Sequence, residues 1–221
     1  MTRQLAFDLP GTEALTRADF FVAPSNALAL QAVEGWRDWP GHKLLLIGPE
    51  GSGKTHLAHV WAEATGAVIL QASALAGVDI AALAGRSVAV EDAQEIGAAE
   101  AALFHLHNVV TAGGALLLTA PAPPRDWGLQ LPDLLSRLQT AQVARLDSPD
   151  DGLLSAVLIK LFADRQVAVA PNLIPYLVSR MPRSVGAARA LVAALDSHAL
   201  ALGRPVTRAL AGEVLDRVEN G

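Results

Sequence analysis

Short apolar segments alternate with longer stretches of helical periodicity along the first two thirds of the chain, and this alternation predicts a parallel β-sheet. The apolar segments are 43–47, 67–70, 87–91, 115–119 and 142–146. Uninterrupted apolar runs of this length are typical of strands that are buried on both faces. The stretches between them, notably 54–65 and 95–112, have the composition of helices. We therefore expect an α/β fold in which five parallel strands lie between two layers of helices.

The pattern changes on both sides of the expected sheet. Residues 1–15 contain a Pro-Gly pair and little periodicity, which predicts an extended tail. A helical stretch follows, opened by Ser25 and Asn26 and closed by a second Pro-Gly pair at 40–41. Beyond residue 147 the strand pattern stops, and the helical runs are 150–165, 171–181, 184–202 and 207–218. The expected units are a tail at 1–15, an α/β domain at 16–147 and a small helical domain at 148–221.

Composition narrows the class of protein. The chain of 221 residues is 52% hydrophobic and 18% charged, which is enough apolar material for a substantial core. We identify no uninterrupted bilayer-spanning stretch and no export signal, so the sequence favours a cytoplasmic protein without a membrane partner. The absence of cysteine excludes disulfides and thiol chemistry. A net charge of −5, from 17 basic and 22 acidic residues, predicts little direct binding to DNA.

The stretch GPEGSGKTH, residues 48–56, lies between the first expected strand and a helix. Its Gly-x-x-x-x-Gly-Lys-Thr spacing in this context is the pattern of a phosphate-binding loop. In such a loop the glycines let backbone N–H groups face a phosphate, the lysine reaches the β- and γ-phosphates, and the threonine hydroxyl binds Mg²⁺. The predicted nucleotide-contacting residues here are Gly48, Gly51, Ser52, Gly53, Lys54, Thr55 and His56.

Acidic residues end the third expected strand. Glu91 and Asp92 are placed so that one carboxylate could hold Mg²⁺ and the other could orient an attacking water. With Thr55, Glu91 is the predicted metal-binding pair, and Asp92 is a candidate catalytic residue. Thr119 ends the fourth strand, where it is either a contact near the γ-phosphate or simply a strand former. A zinc site is disfavoured, because the paired histidines 56/59 and 105/107 have no evident third ligand.

Two arginines complete the set of candidates. Arg137 lies in LPDLLSRLQ, a short helix opened by Pro132 whose leucines face the core. Arg183 follows Pro182 at the start of a later helix. By charge alone, either residue is more often an ordinary surface side chain than a functional one.

Several motifs together resemble the AAA+ family of P-loop NTPases, and within it the module of the bacterial replication initiator DnaA. The closest resemblance is to the Hda-like branch, short regulatory homologues that lack the C-terminal DNA-binding domain. Besides the phosphate loop, the motifs are DFFVAPSNALA (19–29), VEDAQ (90–94), LFHLHN (103–108), LTAPAPP (118–124), LPDLLSRL (131–138) and MPRSVGAARAL (181–191). The resemblance implies an α/β AAA+ domain with a C-terminal helical lid.

The resemblance also implies roles for individual residues. Arg137 falls on the arginine finger, a catalytic residue that acts on the nucleotide of a neighbouring protein, and Arg183 falls on the sensor 2 arginine. Phe21, Val22 and Asn26 would border the adenine. The implied cofactors are ADP or ATP with Mg²⁺, and the sequence does not decide between the two nucleotides.

Partners are implied in the same way. Members of this branch dock on the replicative sliding clamp through an N-terminal peptide and stimulate ATP hydrolysis by the initiator. The segment from Gln4 to Leu9 is similar to such a peptide, with Gln4, Leu5, Phe7 and Leu9 as its contacts. Assembly into a homo-oligomer is left open.

The chain departs from the family pattern at two positions of its own site. Glu91 stands where the family usually has Asp, and Pro121 stands where it usually has an acid. Both departures weaken the case for self-hydrolysis. The alternative function is an autonomous AAA+ ATPase, a motor or loader that acts on a replication protein by its own cycle.

Overall fold

The computed structural model describes the backbone of residues 15–219 and the side chains of residues 15–216. Its sheet has five strands, every pair of which is parallel, in the order β2-β3-β4-β1-β5. The strands are β1 (Lys43–Ile47), β2 (Val68–Gln71), β3 (Val88–Glu91), β4 (Leu116–Ala120) and β5 (Gln142–Arg145). Each lies within one residue of the segment predicted from its apolar run, which confirms the expected α/β architecture.

Helices connect the strands and continue beyond them. The helices of the α/β part are α1 (Ala27–Glu34), α2 (Lys54–Thr65), α3 (Glu100–Thr111) and α4 (Pro132–Gln139). The helical part that follows contains α5 (Asp151–Asp164), α6 (Leu173–Val178), α7 (Val185–Leu202) and α8 (Arg208–Glu219).

Three of the helices expected from periodicity are shorter than predicted, and one of them, expected over 171–181, is the six-residue α6. The helix expected before β1 ends at Glu34, and short 3-10 turns at Trp36–Asp38 and Pro40–His42 follow it. The helix expected over 95–112 begins only at Glu100, because Gly97 has a φ of +52°, which a continuous helix does not allow.

The packing of β1 on both faces of the sheet holds this strand in place at the end where the phosphate loop begins. Successive residues of this strand face opposite sides of the sheet. Leu44 and Leu46 pack with α1 and α2 around Trp61, while Leu45 and Ile47 pack with the layer that contains α3 and α4. All five residues of β1 are buried, so the loop starts from a fixed point.

The helical part, hereafter the lid, has a core of its own. Leu158, Phe162, Leu177 and Leu195 are among the residues that fill it. Its first helix is capped by Asp150, whose carboxylate accepts a hydrogen bond of 2.7 Å from the backbone N–H of Leu153. One of its helices, α7, is long and apolar enough to cross a membrane by length and composition, with a mean hydropathy of 1.3. Five of its side chains lie buried in the protein, and a single helix of this kind is only weak evidence for a span.

Candidate functional site

The loop between β1 and α2 has the backbone geometry that an anion requires. Gly51 and Gly53 have φ values of +71° and +103°, which only glycine adopts without strain. Helix α2 then begins at Lys54, so its free N–H groups and its dipole face the loop. The predicted phosphate-binding loop is thus formed at the level of the backbone.

Gly48 has a different role from the other loop glycines. Its N–H donates to the carbonyl of Ala120 at 3.2 Å. A Cβ at this position would lie 2.6 Å from the carbonyl oxygen of Leu146 and 2.7 Å from Oγ of Ser52. Glycine is required here because β1 and the end of β5 approach closely, and Gly48 does not line the cavity beside the loop.

Lys54 is folded back onto its own loop. Its ammonium donates to the carbonyl oxygens of Gly48 at 2.8 Å and Pro49 at 2.9 Å. Burial lowers the pKa of Lys54, and the nearby carboxylates of Asp92, Glu50 and Glu91 oppose that effect. A phosphate would offer the ammonium stronger, charged acceptors than these two carbonyls.

The carboxylates at the end of β3 form the second half of the site. Oε2 of Glu91 accepts a hydrogen bond of 3.2 Å from Nε2 of Gln71, whereas Oε1 is buried and has no partner among the described residues. Asp92 adopts a left-handed conformation with a φ of +51°, and its N–H donates to Oγ1 of Thr119 at 3.1 Å. Thr119 therefore braces the turn that carries Asp92.

One atom, the unpartnered Oε1 of Glu91, supports the predicted Mg²⁺ site, although Glu91 does not itself line the cavity. An unpartnered buried carboxylate oxygen carries a desolvation penalty that a cation and its waters would remove. Glu91 and the hydroxyl of Thr55, which lines the cavity, are the residues that would hold the ion. Within residues 15–216 no group of three or more His, Asp or Glu side chains could hold a metal by itself.

The segment before α1 forms one wall of the site. Asn26 is buried and shapes this segment, because its Oδ1 accepts from the N–H of Ala23 at 2.9 Å and its Nδ2 donates to the carbonyl of Phe21 at 2.8 Å. Both ends of its amide are thus engaged by backbone groups. Phe21 lines the cavity, but Val22 does not and its side chain is 55% exposed. Of the three predicted adenine neighbours, two lie at the cavity.

His56 ties the same segment to α2. Its Nε2 lies 2.9 Å from the carbonyl oxygen of Thr16, and its ring meets that of Phe20 edge-on at a centroid distance of 5.1 Å. Burial is the main cause that lowers the pKa of His56, so the neutral ring is favoured. His56 lines the cavity with the contacts of a packing residue, and the nucleotide contact expected of it stays a prediction.

The lid reaches the phosphate loop directly. Ser184 caps α7 by accepting from the N–H of Ala187 at 3.2 Å, and the N–H of Val185 donates to the carbonyl of Gly51 at 3.1 Å. The first turn of α7 therefore rests on the loop. Gly186 and Arg189 continue this face of α7 into the cavity.

Arg183 lies elsewhere. Its Nε donates to the carbonyl of Pro149 at 3.1 Å, and its Nη1 pairs with Oδ1 of Asp151 at 2.7 Å. It does not line the cavity, whereas two other lid arginines, Arg165 and Arg189, do. The sequence analysis missed Arg189, although a signal existed: it lies one helical turn after Val185 and so shares its face.

These elements enclose a cavity of about 1050 Å³ between the sheet and the lid. Lys160 of α5 is part of the lining, and its ammonium lies 3.1 Å from Asp19 and 2.8 Å from Asp164. Besides the predicted residues and Pro121, side chains that the sequence analysis did not single out contribute to the lining: Asp19, Phe20, Glu50, Gln94, Glu95, Lys160, Asp164, Arg165 and Arg189. The cavity is large enough for a nucleotide.

Arg137 is far from this cavity. It lies in the last turn of α4, exposed, with its guanidinium carbon 5.1 Å from the ring centroid of Phe104. The charge of Arg137 helps to lower the pKa of Lys43, which is the first residue of β1. The phosphate loop follows the last residue of that strand. A five-residue strand spans about 13 Å. Arg137 therefore lies about a strand length from the chain's own phosphate loop.

The predicted clamp-binding residues Gln4, Leu5, Phe7 and Leu9 lie outside the described part of the chain.

Comparison with solved structures identifies the fold. Domain III of the replication initiation protein DnaA from Thermotoga maritima superposes with a TM-score of 0.81 at 18% identity, covering 92% of this chain and 96% of that one. A replication initiator DnaA bound to AMPPCP and single-stranded DNA gives 0.69 at 16% identity over 81% and 63% of the two chains. A RuvB mutant from Thermotoga maritima gives 0.64 at 16% identity over 89% and 70%. No family model matches the sequence.

These similarities confirm the predicted fold class. The chain has the AAA+ P-loop NTPase fold, with a five-stranded parallel sheet and a helical C-terminal part. At such low identity the likeness concerns the fold and leaves the activity to be argued from the site.

Proposed function

We propose that this protein is a nucleotide-bound AAA+ regulator that stimulates ATP hydrolysis by the bacterial replication initiator when it is bound to the DNA-loaded sliding clamp. The observation that carries the proposal is the position of Arg137, exposed and about a strand length away from the chain's own phosphate loop. If an arginine so placed acts on a nucleotide, that nucleotide belongs to another protein. In the cell this activity would limit re-initiation of chromosome replication, in the cytoplasm.

The bound nucleotide has a structural role in this proposal. Gly51 already joins the loop to the lid through the N–H of Val185. A diphosphate on the loop would add charged contacts, from Lys54 on one side and from Arg189 rather than Arg183 on the other. ADP or ATP with Mg²⁺ would thus hold sheet and lid in one arrangement, and with them the surface that presents Arg137.

Arginine at position 137 suits the proposed chemistry. In phosphoryl transfer the equatorial oxygens of the transferred group gain charge at the transition state, and an arginine supplied in trans raises the rate about 10³- to 10⁵-fold in well-characterised cases. The planar guanidinium can bind two phosphate oxygens at once, which an ammonium cannot. The initiator's ATP is the proposed target because the fold is that of initiator domains.

In this proposal, all the residues that bind the clamp belong to the tail, residues 1–15. Gln4, Leu5, Phe7 and Leu9 would dock as a short peptide, and the chain itself, with a net charge of −5, would contribute little direct DNA binding. Changing Gln4 and Leu5 to Ala should abolish clamp binding without altering ADP affinity. Binding that survives this double change, measured by surface plasmon resonance, would remove the tail from the proposal.

The second candidate, an autonomous ATPase, is favoured by the carboxylates. Glu91 keeps a free buried oxygen and Asp92 lies beside Lys54, so the parts of a hydrolytic site are present. Against it, the Glu91 side chain is longer than the usual Asp by one carbon–carbon bond, and a metal held through it would be poorly placed for an in-line reaction. Turnover of ATP by the isolated chain separates the two candidates.

The decisive experiment measures ATP hydrolysis by the initiator with and without this chain and DNA-loaded clamp. Arg137→Ala should lose the stimulation while keeping ADP and clamp binding. Arg125→Ala is the matched control, since Arg125 is an exposed arginine whose side chain is 74% accessible and whose one recorded ion pair is with its neighbour Asp126. Full stimulation by Arg137→Ala would refute the assignment of the finger.

A further inference from the structure

Three elements converge beneath Arg137 at the amino edge of the sheet. Lys43 opens β1, Phe104 and His107 lie one turn apart on α3, and Arg137 lies in the last turn of α4. None of these four residues lines the nucleotide cavity, and neither Phe104 nor the basic pair behind it is used in the function proposed above. The cluster therefore needs its own explanation.

The guanidinium of Arg137 rests on an aromatic face. Its carbon lies 5.1 Å from the centroid of Phe104, within the range of a cation–π contact. Phe104 is half-buried against the core layer that contains Leu103 and Leu106, so the ring is held in place from below. Among the described residues, no carboxylate lies within salt-bridge distance of Arg137, and its guanidinium takes part in no recorded hydrogen bond. The ring is thus the contact that fixes where the guanidinium lies.

The positive charge of Lys43, behind the ring of Phe104, also favours an outward position of the Arg137 guanidinium. Lys43 is buried, and its ammonium lies 3.2 Å from Nε2 of His107, which is buried as well. The pKa of Lys43 is lowered by burial and then by the charge of Arg137. Within the described chain, Lys43 has no carboxylate partner to cancel its charge. It therefore repels a guanidinium that would fold inward, while the aromatic face attracts one that stays outside.

We propose that Phe104 is a positioning residue for Arg137, and that its ring holds the guanidinium on the outer surface in the orientation that meets a neighbouring protein's nucleotide. This inference rests on the proposed function, because it assigns to Arg137 the role given there. A free arginine side chain loses conformational entropy when it docks. The ring lowers that loss by restricting the guanidinium before docking.

The test compares variants of Phe104 in the initiator hydrolysis assay with clamp present. Phe104→Leu keeps an apolar side chain against the core and removes the ring face. It should lower the stimulated rate about two- to fivefold, the factor that a cation–π contact at an exposed site corresponds to. Phe104→Trp keeps an aromatic face and should restore the rate to at least the original level.

A double change shows whether the effect passes through Arg137. In an Arg137→Ala background, Phe104→Leu should cause no further loss. ADP affinity and the melting temperature serve as folding controls, and Phe104→Met replaces Phe104→Leu if the latter lowers the melting temperature. Equal losses in the Leu and Trp variants would point to packing and overturn the inference.

The outcomes separate this inference from the function on which it rests. If Arg137→Ala retains full stimulation, the proposed function fails and the inference fails with it. If Arg137→Ala abolishes stimulation while Phe104→Leu stimulates fully, only the positioning role of Phe104 is refuted.

Discussion

Replacing Gly51 with Ala tests the contact between α7 and the phosphate loop. The φ of +71° at Gly51 costs a residue with a Cβ about 1–2 kcal/mol. The added Cβ would also overlap the hydroxyl group and Cβ of Ser184 and lie 3.1 Å from its Cα. Because Ser184 caps α7, this overlap would push the start of α7, and with it the lid, away from the loop. Retreat breaks the hydrogen bond from the N–H of Val185 to the carbonyl of Gly51, which contributes about 1 kcal/mol.

Gly66 provides a matched control for the strain. It ends α2 with a φ of +68°, and a Cβ there would have no atom within 4 Å. Gly66→Ala should therefore lower the free energy of unfolding by the backbone term alone, about 1–2 kcal/mol. Gly51→Ala should cost at least about 1 kcal/mol more, because the lid contact is lost as well.

The assay is urea denaturation without nucleotide, so that the contact between lid and loop is measured apart from ligand binding. Adding Ser184→Gly to Gly51→Ala removes the overlapping atoms, and a glycine cap costs only a few tenths of a kcal/mol. The double variant should regain part of the difference. Equal unfolding free energies for Gly51→Ala and Gly66→Ala would show that α7 does not rest on the loop in solution.

Three further predictions concern the nucleotide site. Lys54→Ala should abolish ADP binding measured by calorimetry, because the loop loses its charged phosphate ligand, and unchanged affinity would contradict the site. Asp19→Asn removes the ion pair with Lys160 at the cavity rim, so fluorescent ADP should leave up to about fivefold faster in stopped flow; an unaltered rate would exclude the pair as a closure. Burial lowers the pKa of His56 below the value of about 6.5 that an unperturbed imidazole has, so the unfolded chain binds a proton more readily than the folded one. The free energy of unfolding should then fall as the pH drops below about 6.5, and His56→Gln should make that fall shallower.

The sheet and the phosphate loop could be predicted from the sequence because both are local patterns. A run such as 43–47 is apolar at every position, and only a strand covered on both faces buries all of it. The loop depends on residues within eight positions of each other, and its glycines adopt the conformations that the spacing requires. Helix ends were less accurate, since Gly97 and the turns around it interrupt a pattern that looks periodic.

The cavity depends on contacts between distant segments, and here the tertiary structure decides. Arg183 and Arg189 are both basic residues near the start of α7, but only Arg189 is on the face that α7 turns toward Gly51. Asn26 lies at the cavity as expected, yet its amide is engaged by Phe21 and Ala23. Neither outcome follows from residue type, because each depends on how one packed element approaches another.

The sequence by itself determined the strands, the phosphate loop and the candidate acids Glu91 and Asp92, because short-range spacing fixes backbone conformation and strand ends. It could not determine which way Arg137 faces. That depends on α4 running back to the amino edge of the sheet, where Phe104 and Lys43 lie beneath the guanidinium. The direction in which a side chain points depends on how helices and strands pack together, so only the tertiary structure determines it.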